Sequence, residues 1–250
     1  MRNRLLKQFL YGSIYLLIFG FVAYNIYFAV IPEPSCFDNR RNQNEEEVDC
    51  GGQCASCEIR RLKPIEVLPT LIFPADGNRS LALLELRNPN AAWGAENFQY
   101  VFKVFDAQGK ELSNISGQSF IYSGDSKHLV EVNLPLDSKM AARSEVVISD
   151  LSWKRRDEFP RPKITIKTLT TKTERRQILI SSNIANEELF GYPEVQIIGV
   201  GVDKTGRRIA ASKTVLQEIK PNEERFFQLT FPALADLDLK LTKIFVEAKR

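Results

Sequence analysis

The chain has 250 residues, 34 Lys and Arg against 31 Asp and Glu, a single histidine and four cysteines. Arg2, Arg4 and Lys7 are the only charges up to Ile31, so everything beyond that point carries 31 charges of each sign. A neutral remainder argues against nucleic acid as a partner, because that affinity comes largely from clustered cations neutralising phosphates.

Residues 1–8 read as a short cytoplasmic tail, and Phe9 to Ile31 as a transmembrane helix without a charge. Its 23 residues would span about 34 Å, enough for a bilayer. Tyr11 and Tyr15 lie near one predicted interface and Tyr24 and Tyr27 near the other, leaving Asn25 as the awkward residue. A cleaved signal would have a shorter apolar region and a small-x-small site, whereas this stretch runs into YFAVIPEP. Arg2, Arg4 and Lys7 before the span, against Arg40 and Arg41 soon after it, predict an inside N-terminus and an extracytoplasmic remainder.

Residues 32–59 form a cysteine-rich acidic module in which Cys36, Cys50, Cys54 and Cys57 are expected to form two disulfides. The three possible pairings stay open. From Asp38 to Gly52 only Val48 could serve a core, so cross-links would replace one. Gly51 and Gly52 directly follow Cys50, where positive φ would let the chain turn back. Asp38, Asn42, Asn44, Glu45 and Asp49 are candidate calcium ligands, since calcium takes about six to eight oxygens, although the EF-hand arrangement is missing. The bland alternative is a solvated acidic loop. Zinc would want two knuckles, and only Cys54 to Cys57 makes one. A redox role for CASC lacks the surrounding strand and helix pattern of a thioredoxin.

The same run resembles a motif of uncharacterised bacterial membrane-anchored surface proteins with immunoglobulin-like β-sandwich domains. Its form is Cys-x-Asp-Gly, Asn-x-Asp-Glu, then Asp-Cys-Gly-Gly-x-Cys-x-x-Cys. Cys36, Asp38, Asn42, Glu45, Asp49, Cys50, Gly51, Gly52, Cys54 and Cys57 match, while Asn39 stands for the glycine and Asn44 for the aspartate. The resemblance implies a cell-surface setting and no particular activity.

Residues 60–157 and 158–250 read as two tandem immunoglobulin-like or fibronectin-like β-sandwiches. A shift of 97 residues lays WGAENFQYVFKVFDAQGKEL on FGYPEVQIIGVGVDKTGRRI without a gap. Phe98, Tyr100, Phe102 and Val104 alternate on one face of a strand, and Val130, Val132 and Leu134 are expected on the inward face of a later one. Asp106 to Gly109 and Asp203 to Gly206 read as hairpin turns, and Lys154 to Lys163 as a charged junction with Pro160 and Pro162. LRNPN resembles a stretch of small extracytoplasmic β-sandwich domains in bacterial membrane proteins.

No catalytic residue is assigned. His128 is expected at the rim of a strand, and no Gly-x-Ser-x-Gly or phosphate loop occurs. GVGVD at Gly199 to Asp203 lies inside a strand, Asp236 and Asp238 are read as wet-side acids, and Trp93 and Phe190 as core or corner aromatics. The expected function is non-catalytic: a membrane-anchored binding or spacer protein that meets the lipid bilayer and an unknown protein or surface polymer. The alternative is an accessory subunit of an envelope assembly or transport complex whose transmembrane helix pairs with partner helices.

Overall fold

A computed structural model describes residues 2–30, 35–42 and 44–249. Ile31, the predicted end of the span, and residues 32–34, the predicted start of the module, lie outside the described residues. Two compact units divide between Leu62 and Lys63.

In the first unit, Arg2–Val30 is helix α1, exposed from Lys7 to Tyr27 at every side chain but the partly covered Ser13, and this window is long and apolar enough to cross a membrane. Asn25 is accommodated within it: its side-chain amide donates to the Phe21 carbonyl at 2.8 Å, so the helix itself satisfies a group that lipid could not. In the cysteine module, Cys36 pairs with Cys54 and Cys50 with Cys57. Asn39, Asn44, Asp49, Gly51 and Gly52 all have positive φ, between 56° and 79°. The motif positions that depart from glycine or aspartate are therefore asparagines doing a turn's work, and Asn tolerates that region. Gly51 has no such substitute, because a Cβ there would lie 2.8 Å from the Glu46 backbone nitrogen.

In the second unit each half of the chain builds two antiparallel sheets. The first half pairs β1 (Glu66–Val67), β2 (Leu71–Pro74) and β6 (Ser126–Leu134) with β3 (Ser80–Arg87). Its other sheet has the order β5 (Glu111–Ile121), β4 (Trp93–Phe105), β7 (Arg143–Arg155). The second half repeats this plan: β8 (Ile164–Ile166), β9 (Thr170–Glu174) and β13 (Glu224–Pro232) pair with β10 (Gln177–Asn186). Its other sheet runs β12 (Arg208–Ile219), β11 (Tyr192–Asp203), β14 (Leu237–Ala248).

Side-chain parity shows how the four sheets stack. In β3, Ala82, Leu84 and Leu86 enter the first core with Phe98, Phe102 and Val104 of β4. The intervening Leu81 and Leu83 join a different cluster, together with Leu71, Phe73, Val130, Ile198, Val200, Ala211 and Phe245. In β11, Val195 and Ile197 enter the second core with Phe227, Leu229 and Phe231 of β13, while Ile198 and Val200 face the other way. The β3 sheet and the β11 sheet thus meet face to face, each buried on both sides, and the sandwiches form four stacked layers.

The expected row Val130, Val132, Leu134 is corrected. Val130 faces the second sandwich, Val132 is 45% exposed, and Leu134 lies in the first core beside Leu129. Asn133 has φ 60° and the β3 to β6 register shifts nearby, so an extra residue reverses the facing of everything beyond it.

Gly199 and Gly201 of GVGVD fall on the core-facing parity, with Val200 between them on the interface. A Cβ on Gly199 would lie 2.6 Å from the Phe231 ring and 2.9 Å from Leu229. Gly199→Ala is expected to destabilise the protein by about 1–3 kcal/mol through overpacking, read as a lowered thermal midpoint. Gly109→Ala tests a different cost, since Gly109 stands at φ 82° in open space and only backbone strain applies.

Candidate functional site

The surfaces that meet between the sandwiches hold most of the unusual chemistry of the second unit. Lys127 of β6 and Glu247 of β14 form an ion pair at 3.0 Å with both side chains over 90% buried. The Lys127 ammonium also sits 3.5 Å above the Phe120 ring centre, a cation–π contact in a dry setting. Burial pushes Lys127 down and Glu247 up, and each one's attraction for the other opposes that shift. Close by, the Tyr122 hydroxyl donates to the Ala248 carbonyl at 2.6 Å, and its ring stacks on Phe159 at 4.5 Å. Phe159 belongs to the charged junction, so that segment is clamped by an aromatic that its composition concealed.

His128 is not a rim residue. It is 4% exposed and stacks on Phe245 of β14 with ring centres 3.8 Å apart. Its Nε2 lies 3.8 Å from Glu85, which also pairs with Arg208 of the second sandwich. Burial first, and then Arg208 and Lys127, push His128 below its ordinary value of 6.5, with Glu85 pulling the other way. A buried, neutral imidazole stacked on a phenyl ring is a packing element here. The sequence signal that could have revealed it is LALLEL at Leu81 to Leu86 and VQIIGVGV at Val195 to Val202, near-continuous runs that mark strands buried on both faces.

At one end of this interface a cleft of about 510 Å³ opens between the β2–β3 turn and β10, β12 and β13. Phe73, Leu81, Ile209 and Phe231 supply apolar walls, and Asp76 and Arg176 the charged lining. Apolar walls with a few polar groups at a domain interface are the usual setting of a small-ligand site.

In the cysteine module the candidate cation ligands are brought together by hydrogen bonds of the loop itself. The Asp49 carboxylate accepts from the backbone N–H groups of Asp38 and Asn39 at 3.0 and 3.1 Å. Glu45, 4% exposed, accepts from the N–H groups of Asn42 and Asp49, both at 3.1 Å. Asp38 accepts from the Asn42 side chain at 2.8 Å and from the Arg40 N–H. Asn44 is exposed, at a turn with φ 61°. Asn42 Oδ1 is buried with no hydrogen-bond partner. All four cysteine sulfurs are tied up in disulfides, which takes the thiolates from the zinc and free-thiol readings.

The remaining sequence candidates resolve into packing and turns. Trp93 is buried, and Phe190 packs against the second core. Asp238 caps a turn by accepting from the N–H groups of Lys240 and Leu241, while Asp236 is exposed. One device the sequence reading missed recurs in both halves: a buried asparagine that ties a corner together. Asn88 donates to the carbonyls of Trp93 and Tyr122, and Asn186 to those of Phe190 and Lys220. The first of these lies within LRNPN, the stretch singled out above.

No family model matches the chain, and no curated protein matches it. Among solved structures it is similar to red sea bream transglutaminase, at 10% identity over 76% of this chain and 32% of that one, with a TM-score of 0.24. It is also similar to a glycosyl hydrolase family 2 member from Bacteroides cellulosilyticus, at 10% identity over 70% of this chain and 27% of that one, with a TM-score of 0.26. The chain spans about a third of the length of these proteins.

Lys127→Met is expected to cost about 3–5 kcal/mol, because it strands the Glu247 carboxylate in an apolar interface. Adding Glu247→Leu should return most of that loss, and a double-mutant cycle from denaturant unfolding measures both. For His128, a depressed folded-state pKa means that the unfolded chain takes up the proton first. Its contribution is therefore present above about 6.5 and is lost as pH falls through that value. His128→Gln should show a smaller drop in thermal midpoint between pH 7.5 and 5.5 than the parent.

Proposed function

We propose that this is a membrane-anchored extracytoplasmic binding or spacer protein, non-catalytic, that displays its two β-sandwiches at a cell surface. The observation that carries the reading is the conjunction of an exposed apolar helix near the N-terminus with four cysteines that are all paired soon after it. Disulfides persist on the oxidising side of a membrane, which agrees with the charge bias of Arg2, Arg4 and Lys7 for an inside N-terminus. The resemblance of the cysteine motif to bacterial membrane-anchored surface proteins supports the same setting. Partners would be the bilayer through α1 and a protein or surface polymer through the sandwiches.

In this reading the stacked sandwiches form one stiff body, and the anchor raises the local concentration of whatever surface they present. Calcium remains the proposed cofactor of the acidic module. Its support is the buried, unpartnered Oδ1 of Asn42, a residue whose own N–H groups reach the carboxylates of Asp38 and Glu45. Millimolar calcium should raise the thermal midpoint of the full-length protein in detergent, and Asp49→Ala should abolish the rise; an unchanged midpoint removes calcium from the account.

The second reading, an accessory subunit whose helix pairs with partner helices, is separated by exchange of residues 9–31 for an unrelated span. The proposed function predicts that cells carrying the exchange behave as the parent, with protease added to intact cells still cleaving the C-terminal region. Loss of function with surface display intact favours the accessory subunit.

A further inference from the structure

Strand β14 ends its sheet: among the described strands it pairs only with β11. From Lys243 to Ala248 that pairing is regular, running from Lys243 opposite Val200 to Ala248 opposite Val195. Successive residues of an antiparallel strand turn their peptide groups alternately toward and away from the partner, so this run presents an edge that no described strand covers, the Ala248 carbonyl at its end being taken by the Tyr122 hydroxyl. Beside it a groove of about 320 Å³ separates β14 from β8, lined by Arg161, Pro162, Ile164, Ile166, Ile244 and Val246. The two isoleucines of β8 and the Ile244 and Val246 side chains of β14 pack against the second core but are only half-buried. The seam between the sheets is therefore open beside a peptide edge, with an apolar lining suited to the side chains of one more strand.

The first sandwich has the matching position closed off. There β7 also pairs only with β4, but its register slips twice between Ala95 and Gln99, and Asp150 sits at φ 51° within the strand. Bulges of this kind blunt an edge against pairing. No positive φ occurs between Lys243 and Ala248.

Charge selects the occupant. Lys240, Lys243 and Lys249 punctuate β14 and its end, while the one acid of the run, Glu247, is neutralised by Lys127 and the Arg161 guanidinium on the rim is paired with Asp125 at 3.2 Å. A second copy of this chain would bring the same cations alongside themselves. We propose that the β14 edge accepts an extended segment of a partner polypeptide, with apolar side chains at alternate positions filling the groove and acidic ones between them facing Lys243. Strand addition of this kind draws affinity from main-chain hydrogen bonds and specificity from alternate side-chain pockets. The inference rests on the reading of the protein as a binding protein and names the chemistry of its partner.

The test uses the full-length protein in detergent micelles and a fluorescein-labelled ten-residue peptide that alternates Val or Ile with Glu. Binding is read by fluorescence anisotropy and located by amide hydrogen exchange. The proposal predicts saturable binding, slowed exchange over residues 243–248, and affinity at least about tenfold weaker when alternate peptide nitrogens are methylated, the loss expected for a few main-chain hydrogen bonds. Lys243→Glu, at an exposed position, should weaken the acidic peptide and strengthen one in which Lys replaces Glu. Absence of binding at millimolar peptide, equal binding of the methylated peptide, or protection elsewhere overturns it. So does protection of 243–248 that rises with protein concentration alone, which assigns the edge to a second copy. Because purified protein is used, a wrong membrane topology leaves this result untouched, and a failed peptide leaves protease access on intact cells untouched.

Discussion

The sheet built on β3 and the sheet built on β11 each carry two apolar faces, and everything else in the second unit follows from the need to cover both. One face of each closes its own sandwich, with Phe98 and Phe102 in one core and Phe227 and Phe231 in the other. The second faces, Leu83 and Val130 on one side and Ile198 and Val200 on the other, have only each other. Exposing them would wet a contiguous apolar patch of the kind soluble domains rarely leave open. Stacking removes that cost and makes two sandwiches into one four-layer body.

Apolar packing alone would tolerate sliding of one sheet over the other, and the polar residues at the interface oppose it. Lys127 and Glu247 meet at 3.0 Å out of water, Glu85 reaches Arg208 and His128, and Tyr122 finds the Ala248 carbonyl. The Lys127–Glu247 pair and the Tyr122 hydroxyl are satisfied in this register and would be stranded in its neighbours. Buried pairs contribute little net stability over apolar replacements, but a displaced one is costly, so their effect is to fix alignment. The Phe159 clamp on Tyr122 holds the connecting segment to the same alignment.

Much of this was legible in the residues. The strand face Phe98, Tyr100, Phe102 and Val104 is buried as alternation implied, the turns at Asp106 and Asp203 place Gly109 and Gly206 both at φ 82°, and the four cysteines pair. The choice among pairings was not legible, because it depends on where the loop's left-handed residues send the chain. Nor was Val132, since a bulge at Asn133 leaves no mark on local hydropathy. His128 was misjudged because alternation was read with one face wet. LALLEL and VQIIGVGV, apolar at consecutive positions, already said that both faces of those strands are dry. In the acidic module, oxygen donors were legible as a cluster, but not that backbone N–H groups would engage Asp49 and Glu45 so fully.

Under the proposed function the stack has a mechanical consequence. Two sandwiches joined by a loose linker would reorient independently, whereas layers locked through a shared interface present their cleft and their β14 edge in a fixed relation. The measurement that addresses this most directly is calorimetric unfolding of the full-length protein with one truncation in each core, Phe98→Ala and Phe227→Ala. If the interface governs the fold, the two sandwiches melt in a single transition whose calorimetric and van't Hoff enthalpies agree, and both substitutions lower that same transition. Two separable transitions, each moved by only one of the substitutions, would contradict the account.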